Sequence, residues 1–256
     1  MPNRLCLMGM GSLTFMGPLP PLSSILERGP AAMFLDFDGT LVELAPGPDA
    51  ISPRPGLAGC LRDLDARIGG RCAVVSGRGL SDIEKHIGPL PVAGAGSHGS
   101  DMRRADGTVM GQGALGLPET IERDLRGYAA AYGLDYEEKP HGGALHYRSN
   151  PEAGPAAHAF AEQLARQHGW AAQAGKSVVE VVACSASKGA AVRAFMAEHP
   201  FAGARPFFIG DDLTDEAGFA ACEEFGGSGI LVGERAGSRA HFMLKSVTAV
   251  HEWLEL

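Results

Sequence analysis

Phe34-Leu35-Asp36-Phe37-Asp38-Gly39-Thr40-Leu41 is the stretch on which the fold and the chemistry of this 256-residue chain turn. The apolar run Ala31 to Leu35 reads as a buried strand that delivers two aspartates, one residue apart, before a glycine breaks it. Alternate side chains of a strand share a face, so Asp36 and Asp38 are expected to emerge together at its carboxyl end. Two like charges at that spacing are costly without a cation. A hard divalent ion, Mg2+ by preference, takes oxygen ligands and keeps waters for a phosphorylated substrate. One aspartate is then free to attack phosphorus. Asp-Gly is also an ordinary strand end and turn, so the rest of the chain has to decide.

Working outward, Leu57, Leu61, Leu64 and Ile68 recur at helical spacing until Gly69-Gly70. The apolar run Cys72 to Val75 ends in Ser76-Gly77-Arg78. Leu80, Ile83 and Ile87 mark a short helix, and a third strand, Val92 to Ala95, runs into Gly96-Ser97-His98-Gly99. Strands alternating with helices predict an α/β fold built on a doubly wound parallel sheet.

From Asp101 the character changes. A polar hairpin is expected around Asp106-Gly107, then a helix through Leu117, Ile121, Leu125, Tyr128 and Tyr132. Strands are predicted over 134–139 and 144–148, a helix over 151–168 and a strand over 177–182. This block reads as an inserted α+β module, an antiparallel sheet with helices on one face. The parallel pattern resumes with a helix over 187–198 and a strand Pro206 to Gly210 that ends in Asp211-Asp212. A helix through Phe219, a strand over 230–232 and a closing helix follow. The expected division is therefore a core over 1–101, with 1–30 as lead-in, an insertion over 102–182, and the rest of the core over 183–256.

Composition narrows the partners. A formal charge of -8 argues against general binding to nucleic acid or anionic membrane, both of which demand a basic face. A small anionic substrate needs only a local cluster of cations. Cys6, Cys60, Cys72, Cys184 and Cys222 are odd in number and lack C-x-x-C spacing, which predicts reduced thiols and no zinc site. No apolar run reaches bilayer length. Residues 5–16 loosely resemble a signal peptide but are broken by glycine and lack a clear cleavage site, so cytoplasmic residence is expected.

Three strand ends share one edge of such a sheet: Asp36 and Asp38, Ser76-Gly77-Arg78, and Asp211-Asp212-Leu213-Thr214-Asp215-Glu216. Ligands of open α/β sheets sit beyond those ends. Ser76 and the backbone N–H groups after it suit phosphoryl oxygens, and Lys188, opening a helix after Ser187, offers a fixed positive charge. Singly, each has an ordinary reading as a loop start, a helix cap or a charged helix entrance. In this order and at strand ends, they reinforce one another.

These elements resemble the four motifs of the haloacid dehalogenase superfamily of phosphotransferases: Asp36-Phe37-Asp38-Gly39-Thr40, Ser76-Gly77-Arg78, Lys188-Gly189, and Gly210 to Glu216. Within it the chain is similar to the trehalose-6-phosphate phosphatases, on Gly96-Ser97-His98-Gly99, Lys139, Leu145-His146-Tyr147-Arg148 and Gly175 to Glu180. The resemblance implies Asp36 as nucleophile and Asp38 as general acid and then base. It implies Mg2+ held by Asp36, the Asp38 carbonyl and Asp211, with Asp212 and Asp215 nearby, and phosphoryl oxygens held by Ser76, Gly77 and Lys188. Arg78, His98, Lys139, Arg148, Lys176 and Glu180 become candidates for the sugar, although charges beside strands also serve as solvated edge groups. The expected partner is a small sugar phosphate, taken by a monomer. One departure stands out: the family usually has a basic residue and a proline where this chain has Val182 and Ala183. Another capped sugar phosphatase, a phosphosugar mutase, or a sugar-phosphate-binding module without catalysis remain alternatives.

Overall fold

Strand β1 (Ala31–Leu35) runs through the middle of a seven-stranded sheet in the computed structural model, which describes residues 17–46, 48–111, 116–139, 142–175, 177–183 and 187–256. Its neighbours are β2 (Cys72–Val75), β3 (Ala93–Gly96) and β4 (Asp101–Arg103) on one side. On the other lie β9 (Arg205–Gly210), β10 (Ser228–Val232) and β11 (Phe242–Leu244), giving the order β11-β10-β9-β1-β2-β3-β4. Every pairing is parallel except β3 with β4. The alternation of β1 separates two apolar layers. Met33 and Leu35 pack with α1 (Leu22–Leu26), α2 (Leu57–Arg67), α3 (Leu80–Ile87) and α8 (Val247–Leu254). Ala32 and Phe34 pack with α6 (Lys188–Met196) and α7 (Glu216–Glu224). Helices on both faces are what a strand without polar alternation requires, and the predicted doubly wound sheet is what forms.

A second sheet is antiparallel, in the order β5-β6-β8-β7: β5 (Asp135–Lys139), β6 (Gly142–His146), β7 (Trp170–Gly175) and β8 (Val178–Ala183). Leu145, Val179 and Val181 face α4 (Glu119–Tyr132) and α5 (Gly154–His168), burying Ile121, Leu125, Ala157, Ala161 and Leu164. Tyr128 and Phe160 stack with ring centres 4.0 Å apart between those helices. By the two-residue period, the opposite face carries Glu137, Lys139, Ala144, His146, Gln173 and Glu180, and the register aligns Glu137, Ala144, Glu180 and Gln173 in one row across the sheet.

Several expectations need correction. The Asp106-Gly107 turn forms, with Gly107 N donating to Arg104 O at 2.9 Å, but its first strand, β4, joins the larger sheet. The cause is the tight turn Ser97–Gly99, which reverses the chain and lays β4 back on β3. The strand expected over 144–148 ends at His146, leaving Tyr147 and Arg148 beyond it. Strands β7 and β11 and helix α1 were not anticipated. Trp170-Ala-Ala-Gln-Ala-Gly175 is mostly small residues of weak strand preference, and β8 supplies its order. The signal-like segment 5–16 lies outside the described residues. Among those described, no helix is long and apolar enough to cross a membrane.

Candidate active site

Leu35 pairs with Val74 of β2 and Ile209 of β9, so the chain leaves three adjacent strands at one level. The residues that follow are Asp36, Ser76 and Asp211. Asp36 N still donates to Ile209 O at 2.9 Å, which fixes its side chain over the strand ends. On the face that Ala32 and Phe34 share, Asp36 meets the start of α6. There Lys188 Nζ lies 2.8 Å from Asp36 Oδ1 and 2.6 Å from Asp215 Oδ1. Ser187 caps that helix, its Oγ accepting from Ala190 N at 3.0 Å, which holds Lys188 in the first turn. Asp36, Lys188 and Asp215 are all buried.

Asp211 completes a carboxylate cluster in which one ligand oxygen from each of Asp36, Asp211 and Asp215 lies within 4.8 Å of the others. Gly39 makes room for it. Its φ is +73°, and a Cβ there would lie 2.2 Å from Asp211 Oδ2, so both the turn and the close approach exclude a side chain. Burial pushes the Asp36 carboxyl well up, and Asp215 and Asp211 add to it against the opposing pull of Lys188. Burial alone would lower the Lys188 ammonium, but Asp215 and Asp36 outweigh it and hold the lysine protonated. The two partners thus pull in different senses: the lysine divides its charge between two carboxylates, so crowding prevails at Asp36. Burial, then Asp215, pushes Asp211 up to about 7. Buried hard oxygen donors whose charges crowd one another fit a divalent cation.

The two aspartates of the first motif part company. β1 ends at Leu35, and Phe37, buried in the apolar layer, turns the chain, its carbonyl accepting from Leu41 N and Val42 N. Asp38 consequently reaches outward to Arg78, which donates from Nε at 2.6 Å and from Nη2 at 2.8 Å, while Nη1 donates to Asp82 at 2.7 Å. Ser76 is buried beside them, its Oγ accepting from Arg78 N at 3.1 Å. Asp212 is exposed and caps the turn at Leu213–Asp215, so its carboxylate stands outside the cluster. A second grouping, Asp49, Asp82 and His86, has Asp82 already bonded by Arg78 and Lys85.

Across from the core, the polar face of the second sheet presents Lys139 and Glu180, whose Nζ and Oε1 lie 2.5 Å apart. Burial would raise the Glu180 carboxyl, yet Lys139 and then His98 outweigh it and bring it down to about 2. His98 comes from the core, its Nε2 3.4 Å from Glu180 Oε2. Arg148 is exposed past the end of β6 and is not brought to this group, and Lys176 lies outside the described residues. Glu137, bonded by His146 at 2.8 Å, and Gln173 share the Glu180 row and were missed as candidates. The signal was available: Glu137 is two residues before Lys139, hence on its face.

The description "Trehalose-phosphatase" belongs to the family whose model matches residues 34–246. "Probable trehalose-phosphate phosphatase" of Sinorhizobium fredii (strain NBRC 101917 / NGR234) is 39% identical over 84% of this chain and 82% of its own. "Trehalose-6-phosphate phosphatase" of Escherichia coli (strain K12) is 37% identical over 88% of this chain and 85% of its own. Among solved structures, a "trehalose-6-phosphate phosphatase related protein" is 27% identical with a TM-score of 0.71, covering 88% of this chain and 95% of that one. The fold is that of the haloacid dehalogenase superfamily. With the family model spanning both sheets and every strand-end motif, the chain belongs to the trehalose-phosphatase family.

Proposed function

We propose that this protein is a Mg2+-dependent phosphatase that hydrolyses trehalose 6-phosphate to trehalose and phosphate by way of an aspartyl-phosphate on Asp36. The observation that carries the reading is the placement of Asp36, buried against Lys188 at 2.8 Å and grouped with Asp211 and Asp215, with Ser76 following the neighbouring strand β2. The Asp36 carboxylate attacks phosphorus, and Asp38 gives a proton to the departing sugar oxygen. Asp38 then takes a proton from water, which releases phosphate and restores Asp36. Ser76, the Gly77 N–H and Lys188 hold phosphoryl oxygens, with Lys188 offsetting the charge on the transferring group. Asp36, the Asp38 carbonyl, Asp211 and Asp215 are the groups suited to Mg2+, with Asp212 at the rim. Bound there, the metal supplies Lewis-acid stabilisation of that same charge.

Sugar recognition falls to the face of the second sheet opposite its helices, where Lys139, Glu180, Glu137, His146 and Gln173 offer donors and acceptors to hydroxyls. Arg148, past the end of β6, is a further candidate, and Lys176 is another on the sequence alone. The division into a core over 1–101 and 183–256 and a cap over 102–182 is part of the same reading, the cap's own sheet beginning at β5. The protein is read as a cytoplasmic monomer. Steady-state phosphate release from a panel of sugar phosphates tests the function. Trehalose 6-phosphate should be turned over at least tenfold more efficiently than glucose 6-phosphate or sucrose 6-phosphate, with Mg2+ required and EDTA abolishing turnover. A preference for either competitor sinks the assignment.

A further inference from the structure

We propose that His98 is a positioning residue that sets the register between the sugar-binding face of the cap and the phosphate-binding turn of the core. The inference rests on the reading of Glu180 and Lys139 as sugar-binding groups, and it assigns His98 to neither sugar nor phosphate.

Three observations place it there. First, the backbone of His98 is committed to an unusual conformation, with φ +57° and ψ +21° in a turn whose preceding residue, Ser97, also has positive φ. Non-glycine residues adopt the left-handed region at a cost, which persists only where surrounding contacts impose it. Second, the residue is bound to the phosphate turn by main chain and by ring. His98 N donates to Ser76 O at 2.9 Å. The imidazole lies so close over Gly77 that a Cβ on that glycine would be 2.8 Å from Cε1. Third, the same Cε1–Nε2 edge that lies against Gly77 also meets the cap, with Nε2 3.4 Å from Glu180 Oε2.

The side chain is nearly enclosed, and neither Nδ1 nor Glu180 Oε2 has a hydrogen-bond partner among the described residues. Glu180 is held instead by its Oε1 bond to Lys139, and the His98 ring by its packing on Gly77 and the main-chain bond to Ser76. A ring of fixed size wedged between Gly77 and Glu180 acts as a spacer. It sets how far the Lys139–Glu180 pair stands from the turn that carries Ser76. A substrate whose phosphate and sugar must be held at once is sensitive to that distance, because small displacements from a productive pose are costly. An aryl phosphate, which has no sugar for the cap to hold, is not.

The test compares kcat/KM for trehalose 6-phosphate with that for p-nitrophenyl phosphate in the full chain with Mg2+, for His98→Ala, His98→Gln, Glu180→Gln and the double variant His98→Ala/Glu180→Gln. His98→Ala is expected to lower the ratio of the two constants about tenfold. His98→Gln, which keeps a nitrogen near the Nε2 position, should recover most of the loss. The double variant should show a ratio no lower than Glu180→Gln alone, because the two residues act through one contact. An unchanged ratio in His98→Ala, with both substrates falling together, overturns the proposal in favour of a role in folding the turn. So does an additive loss in the double variant. If Glu180→Gln itself leaves the ratio at the wild-type value, the reading of the cap as sugar-binding fails, and the inference fails with it.

Discussion

Burial, with Asp215 beside it, lifts the Asp211 carboxyl to about 7, so the metal-free site should report itself in stability against pH. Asp211 binds its proton more tightly folded than unfolded. Its contribution is therefore fully present below the ordinary carboxylate range and is lost as pH rises from about 4 through about 7. A shift of about three units caps the effect at about 4 kcal/mol, and partial exposure reduces it to about half. Calorimetric melting in EDTA should show a falling midpoint between pH 5 and pH 8. Asp211→Asn should flatten that slope, as should saturating Mg2+. A midpoint independent of pH in EDTA contradicts the crowding described for the cluster. Single residues were legible here to the extent that their motif lay on regular structure. Asp36, Ser76 and Lys188 follow from the ends of strands and the start of a helix. The shared face expected of Asp36 and Asp38 does not, because the strand stops at Leu35 and Phe37 turns inward. A two-residue period holds only while the chain stays extended.

Among the elements, the turn after β1 depends on one glycine. With φ at +73° and Asp211 against its Cα, Gly39→Ala combines a strained backbone with a steric overlap onto a carboxylate of the cluster. The expected result is a loss of at least about 1 kcal/mol in stability together with Mg2+ affinity lowered more than tenfold by calorimetric titration. Stability lost without any change in metal binding would detach Gly39 from the site. The elements the sequence did not announce share a cause. β7, β11 and the placement of β4 are decided by a neighbouring strand or a reversing turn, not by local pattern. The buried strands β1, β2 and β9 were legible because a continuous apolar run with helical spacing on either side admits little else. The cap candidates Glu137 and Gln173 belong to the same lesson: Lys139 and Glu180 were visible as isolated charges, whereas the row they stand in appears only once strands pair.

For the molecule as a whole, three apolar clusters divide the work: two line the faces of the larger sheet, and a third lies between the second sheet and helices α4 and α5. Phe34, fully buried, stacks on Phe201 at 5.5 Å and meets Phe195 at 6.0 Å. Phe34→Ala should cost about 3–5 kcal/mol. The loss should appear in hydrogen exchange of β1, β9 and α6 while protection of α4 and α5 is retained. Uniform loss of protection would mean that cap and core unfold as one unit. Glu180, in the last cap strand, and Lys188, in the first turn of α6, stand only eight residues apart along the chain (188 − 180 = 8). The group proposed to read the sugar and the group proposed to hold the phosphoryl thus travel on one short stretch of gene. Exchange of caps between relatives would have to break the chain inside that stretch, between the end of β8 and the start of α6.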